Sequence, residues 1–418
     1  MKRNYITLAA ATAIGLVMSA SAYAGNENTL YLDQDGNDNT ALVHQSSGGG
    51  NNNIGTLADP VTQDGDHNSF RFSNSGSGSG TNNDIIKAEQ TGDDNYFSMS
   101  TWNGANNNVV QDAQQVGDLN QMRIGMNGSD TGLVGTILQQ GDNNHLVIDQ
   151  APISGALSAG NQVRSVTMLG SDNGLAPDAN GAAKRAGTYI KQTGAGNIVQ
   201  NAYVEGSNNT GAAGSSNTYR NVQRIEQWGS NNGLGSSIAS TMGSDGNRIW
   251  VFEAGNSNNF SIMQGIDSFS TGNYATATQD GDYNDVTVTQ YGDGNEIIVD
   301  QDGNGNTTTA NFVGNGNGVG VLSGNAGMLE LAHGELTQGT IVQDSSAAIS
   351  GNSVDYNVTG DSNLFAFAQI GGGNTITGTV GNLGASNGNQ VAIIQSGSSN
   401  ASTFSQNGGG SNNIAVSQ

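Results

Sequence analysis

The stretch NYATATQDGDYNDVTVTQYGDGNEIIVDQDGNGN, residues 273–306, repeats one design every eleven residues. Each unit opens on Asn, runs five residues with the second and fourth apolar or small, and closes on Gln-x-Gly-x-x-Asn. In Asn284 to Gln290 the apolar pair is Val286 and Val288, while Asp285, Thr287 and Thr289 take the other positions. Period-two alternation of this kind is a β-strand with one buried face. Six is an even spacing, so the opening Asn and closing Gln share the face of the apolar pair. Amides on a buried face require hydrogen-bond partners, and stacked identical repeats supply them, each amide donating to one neighbour and accepting from the other. Glycine two residues after Gln gives the turn a backbone conformation that other residues resist.

Strand, turn, strand and turn make a 22-residue coil, and coils stacked at ~4.8 Å form two facing parallel sheets. Gln-x-Gly-x-x-Asn occurs twelve times, beginning at Gln34, Gln63, Gln90, Gln115, Gln139, Gln192, Gln227, Gln279, Gln290, Gln301, Gln369 and Gln395. Six weaker copies begin at Met168, Val204, Glu253, Phe312, Val358 and Gln406. The expected fold is all-β, a parallel β-solenoid of strand-turn-strand coils with two facing sheets and cross-β-like amide ladders, interrupted by long loops. One coil buries too little apolar surface to offset its ordering entropy, so stability is collective.

The ladder and turn positions singled out are Asn28, Gln34, Gly36, Asn39 and Gln45 in the first coil. The central tract contributes Asn273, Gln279, Gly281, Asn284, Gln290, Gly292, Asn295, Gln301, Gly303 and Asn306. Near the end follow Asn363, Gln369, Gly371, Asn374, Asn389, Gln395, Gly397, Asn400 and Gln406.

Residues 1–24 read as a signal peptide, with Lys2 and Arg3, an apolar run from Ile6 to Met18, and the small-residue site Ala22-Tyr23-Ala24. Residues 25–317 are expected to form a repeat solenoid with loop insertions. Residues 318–351 are an irregular break, including Ala326 to Glu335 as a short helix or irregular coil, and 352–418 continue the solenoid. Asn/Ser/Gly-rich stretches such as Ser73 to Asn83, Gly206 to Asn217 and Asn231 to Asp245 read as loops leaving the stack at a turn. A strand beginning at Asn28 and another ending at Gln418 lead to the expectation that both ends are templates for another copy.

With 64 glycines, 3 prolines and 6% aromatic residues the composition is not that of an ordinary globular core. No cysteine is present, so no disulfide holds the fold. The 35 acidic residues outnumber 12 basic ones, two of which lie in the signal segment, and no Lys or Arg follows Arg248. Nucleic acid is therefore not expected as a partner, nor is membrane insertion.

Catalytic, cofactor and metal sites are not expected. His44 and His145 fall at outward strand positions, His67 in a turn and His333 in the irregular segment, without metal-ligand spacing. Acidic turns such as Asp64-Gly65-Asp66, Asp280-Gly281-Asp282 and Asp300-Gln301-Asp302 offer carboxylates for calcium, but neither the nonapeptide period nor the bidentate glutamate of the helix-loop-helix calcium site is present. Trp102, Trp228 and Trp250 with Tyr203, Tyr219 and Tyr291 pack between loops and solenoid or form outward platforms for a glycan.

These motifs resemble the repeats of the curlin family, the subunits of curli fibres. Asn28-Gln34-Gly36-Asn39-Gln45, Asn273-Gln279-Gly281-Asn284-Gln290 and Asn389-Gln395-Gly397-Asn400-Gln406 fit the family pattern end to end. The resemblance implies a secreted functional amyloid of the biofilm matrix, an extracellular fibre at the bacterial cell surface that supports adhesion. It implies an end-to-end homopolymer as the first partner, with a nucleator subunit and an outer-membrane secretion apparatus. The chain is longer than a compact curlin and carries loops, which leaves two further readings: a monomeric or surface-bound solenoid adhesin whose loops bind a ligand, and a fibre nucleator.

Overall fold

A computed structural model describes residues 6–10, 17–22, 29–45, 52–54, 58, 60–75, 83–85, 88–102, 109–125, 133–142, 145–149, 162–169, 188–193, 198–205, 222–230, 232, 247–264, 272–346, 350–381 and 387–418. The described elements are β-strands, paired throughout in parallel, and one helix. The chain divides into two compact units, Met1–Thr210 with Arg224–Ser230 and Gly211–Gln223 with Asn231–Gln418.

In the second unit the alternation of the central tract becomes the expected coil. One sheet stacks Arg248–Asn256, Tyr274–Asp280, Glu296–Asp302, Thr340–Asp344, Leu364–Ile370, Gln390–Ser396 and Asn413–Ser417 in order. The facing sheet stacks Asn259–Gln264, Asp285–Tyr291, Thr307–Val313, Ser353–Thr359, Thr375–Val380 and Ala401–Gln406. Equivalent positions pair without slippage: Ala275 with Ile297, Val286 with Thr308, Gln279 with Gln301. Val286, Val288, Ile297 and Val299 are buried between the sheets, whereas Thr287 and Thr289 face outward. Farther along, the core becomes aromatic, with Phe312, Tyr356, Phe365, Phe367 and Phe404 in mutual ring contact. Gly378, in register between Tyr356 and Phe404, leaves room for these rings: a Cβ there would meet the Phe404 ring.

The segment 318–351 is more ordered than an irregular break. It holds the helix Gly324–Ala332 and also the strand Thr340–Asp344, which bridges Glu296–Asp302 to Leu364–Ile370. The helix lies over the outer side of the first sheet, where Ala326, Leu322 and Leu336 join Leu364, Ala366, Ala368, Ala392 and Ile394 in a second apolar cluster. Strands buried on both faces need such a cover.

In the first unit one sheet stacks Thr29–Asp35, Val61–Asp64, Ala88–Thr91, Val109–Val116, Leu133–Gln140, Gln162–Leu169 and Ile198–Glu205. The other stacks Thr40–Gln45, Ser69–Ser75, Tyr96–Trp102, Gln121–Ile124, His145–Asp149 and Thr188–Thr193. Two insertions interrupt a strand rather than a turn. Asn52–Ile54 and Val61–Asp64 together pair along the single strand Thr29–Asp35, and Asn83–Ile85 with Ala88–Thr91 pair along Val109–Val116. Fully buried Ile54 marks where the interrupted strand rejoins the core. Within the segment read as a signal peptide, Ile6–Ala10 and Val17–Ala22 pair with Thr29–Asp35 and Thr40–Gln45.

Candidate assembly ladders and turns

The closing glutamines form a continuous axial ladder in the second unit. Each side-chain N–H donates to the next carbonyl oxygen, from Gln279 to Gln301 (3.1 Å), Gln343 (2.8 Å), Gln369 (2.9 Å), Gln395 (2.9 Å) and Gln418 (3.0 Å). The other N–H of the same amides donates across the coil to a main-chain carbonyl of the facing sheet, from Gln301 to Asp285 (3.1 Å), Gln343 to Thr307 (3.0 Å) and Gln369 to Ser353 (3.1 Å). One amide therefore joins neighbouring coils and also the two sheets, which satisfies both donors in a dry site. The first unit has the same ladder: Gln34 donates to Gln63, then Gln63 to Gln90 (2.8 Å), Gln90 to Gln115 (2.9 Å) and Gln115 to Gln139 (3.0 Å). Gln192 donates to Gln227 at 2.9 Å.

On the facing sheet of the second unit, Gln264 donates to Gln290 (2.8 Å). The register then runs Gln290, Phe312, Val358, Val380, Gln406, so apolar side chains replace the intermediate rungs.

The asparagines bond differently from the amide-to-amide ladder expected of them. Asn284 Nδ2 donates to the main-chain carbonyl of Gly303 (2.9 Å), and its Oδ1 accepts the main-chain N–H of Asn306 (3.0 Å). Asn39 and Asn68 do the same with Gly65 and Asn68, and with Gly92 and Asn95. Asparagine is one methylene shorter than glutamine and opens its strand beside the turn, so its amide reaches the next coil's turn backbone. Asn273, Asn295, Asn317, Asn363 and Asn389 add a side chain-to-side chain bond along the stack. Asn352 and Asn374 carry the corresponding staples on the facing sheet, to Gly371 and Gly397, and Asn400 donates its main-chain N–H to Asn374.

The turn glycines Gly36, Gly281, Gly292, Gly303, Gly371 and Gly397 all have positive φ. At Gly281, φ is 120° and a Cβ would lie 2.1 Å from the carbonyl oxygen of Gly303 in the next turn. A second left-handed position precedes the Asn. It is Gly in Gly294, Gly305, Gly316 and Gly373, but Asp38, His67, Asp94, Leu119 and Tyr283 elsewhere. Recurrence of Gly there is the signal in the sequence. Between the two, an Asp or Asn side chain accepts the main-chain N–H of the preceding turn, as Asp93 does from Asp66 (2.7 Å) and Asn304 from Asp282 (2.8 Å).

Asn28 lies outside the described residues, and Gln45 is described as strand backbone without its side chain. The side chains of His44, His145, Trp102 and Trp228 and all of Tyr219 likewise lie outside the description. His67 sits in its turn between Asp38 (3.6 Å) and Asp94 (3.9 Å), and His333 ends the helix. Gln343 belongs to the ladder although no Gly-x-x-Asn follows it. Among the described residues no group of three His, Asp or Glu side chains is placed to hold a metal ion, and no helix is long and apolar enough to cross a membrane. Burial raises the carboxyls of Asp285, Glu296 and Asp300 above the usual range, and the charges of Asp302 and Asp280 raise Asp300 further.

Stacked coils, axial Gln rungs and turn staples define a parallel β-solenoid. A family model described as the curlin associated repeat matches residues 271–292. A search of curated proteins found no significant match.

Proposed function

We propose that the chain is a secreted structural protein that self-assembles into extracellular fibres of a biofilm matrix, supporting adhesion and aggregation, with no catalytic role. One observation carries this reading: rung geometry is independent of chain connectivity. Gln279 to Gln301 is separated by 22 residues, Gln301 to Gln343 by 42 with a helix between, yet both bonds form, at 3.1 and 2.8 Å. A coil supplied by another copy meets the same requirements. Its principal partner is thus itself, added coil on coil, in the manner of cross-β growth.

The test is incubation of the purified chain at neutral pH, followed by amyloid-dye fluorescence, electron microscopy and seeding with preformed product. Fibres that seed fresh protein are expected, with Gln301→Leu slowing growth and outward Thr287→Ala leaving it unchanged. Protein that stays monomeric and ignores seeds overturns the proposal, as do equal effects of the two substitutions.

A further inference from the structure

The two outer faces of the first unit differ in charge. On one sheet the outward positions of successive strands are Asp33 and Asp35, Thr62 and Asp64, Glu89 and Thr91, then Gln114 and Val116. These described positions carry four acids and no base. On the opposite sheet they are Thr40 and Leu42, Ser69 and Arg71, Tyr96 and Ser98, Gln121 and Arg123. At these four strands' positions there are two arginines and no acid, before Asp149 pairs with Lys191 farther along the sheet, in a chain with a net charge of −23.

The spacing matches as well as the sign. Asp33, Thr62 and Glu89 occupy one axial column in register, acid, neutral, acid. Arg71, Ser98 and Arg123 occupy another, base, neutral, base. In both columns the like charges are two strand spacings apart, roughly 9–10 Å. The two faces point in opposite directions, so a second copy related by translation and slid by one coil sets Asp33 against Arg71 and Glu89 against Arg123 together. Arg71 and Arg123 are exposed, and Leu42, 38% exposed, extends the arginine column by one apolar contact.

We propose that this pair of faces is a lateral contact between copies of the chain, in which the acidic column of one copy docks on the arginine column of its neighbour. The contact is heterologous and leaves the opposite face of each copy open, so it propagates sideways. Between fibres it repeats with every copy and gains from multivalency although each exposed ion pair is weak. It extends the assembly reading from growth along the axis to bundling across it, and salt screens it.

The experiment compares wild type, Arg71→Glu/Arg123→Glu, Asp33→Arg/Glu89→Arg, and an equimolar mixture of the two double variants at low ionic strength. Growth is followed by dye fluorescence and lateral association by fibre width in electron micrographs. Each double variant alone is expected to lower the bundled fraction about fivefold at unchanged growth rate, as for loss of weak pairs repeated along a fibre. The mixture is expected to restore bundling, since only a contact between copies brings its reversed faces together. Wild-type bundling by Arg71→Glu/Arg123→Glu, or a mixture that fails to recover, overturns the proposal. If no fibres form, the same four samples are read by sedimentation velocity: association confined to wild type and the mixture upholds the lateral contact while the fibre reading fails, and its absence refutes the contact.

Discussion

Glu253 occupies a rung of the second unit's glutamine ladder, in register with Gln279 and fully buried. The next rung has a corresponding defect: Gln279 Oε1 is buried without a hydrogen-bond donor. An ionised carboxylate has no proton to give it, whereas a neutral carboxyl donates as the amides do elsewhere. A buried carboxylate is costly to desolvate, whereas the glutamine amide carries no charge, and a sound rung is worth about 1 kcal/mol. Glu253→Gln supplies an N–H in almost the same volume. It is therefore expected to stabilise the second unit by about 1–3 kcal/mol at pH 7. Urea unfolding of soluble protein at pH 7 measures the difference. A variant no more stable than wild type refutes the reasoning.

Gln343→Leu leaves the Gln301 donor and the Gln369 acceptor without their rung partner and is expected to cost about 2–4 kcal/mol in urea unfolding. Gly281→Ala sets a Cβ against the Gly303 carbonyl and is expected to prevent native stacking or cost more than ~3 kcal/mol, whereas Gly294→Ala, with open space around it, costs about 1 kcal/mol for its left-handed backbone; thermal midpoints separate the two. Tyr356→Phe removes a buried hydroxyl that has no partner and is expected to stabilise by about 1 kcal/mol, measured the same way. In the Glu253→Gln background, the raised carboxyls of Asp285, Glu296 and Asp300 predict stability that still increases as pH falls from 7 toward 4, because the folded state takes up protons first; a flat profile over that window counts against their burial.

The fold was legible because each coil states its own periodicity. Val286 and Val288 alternate with threonines, and glutamine recurs where the strand face turns inward, so strand, facing and axial ladder follow from local spacing. What escaped depends on contacts between coils. The asparagine staple requires knowing how close the next turn's carbonyl lies, and the second left-handed residue is disguised wherever Asp38, His67 or Tyr283 replaces glycine. Gln343 lacks the turn signature because Ser345 begins an excursion instead of the Gly-x-x-Asn turn. The split strands at Ile54 and Val61 remain hidden because a short insertion within a strand looks like any polar loop until its register is known.

The helix cover presents a different case, since the sequence contains both halves of its explanation at separate places. Leu364–Ile370 reads LFAFAQI and Gln390–Ser396 reads QVAIIQS, neither with a polar residue at the outward positions Ala366, Ala368, Ala392 and Ile394. In the preceding coils the register position of Ala366 and Ala392 carries Thr276, Ile298 and Thr340, and that of Ala368 and Ile394 carries Thr278, Asp300 and Val342. Two adjacent coils that lose their polar outer face require something to exclude water from it. The nearest segment without coil periodicity is the one containing Leu322, Ala326 and Leu336, and these are the residues that close the cluster. The helix itself has no side-chain cap and offers only Ala326 and Gly327 as fully buried positions, so its own sequence is a weak predictor of where it docks. In a solenoid the outward residues of consecutive coils carry that information: where they turn apolar together, an insertion folds back onto them, and its position is read from the surface it covers.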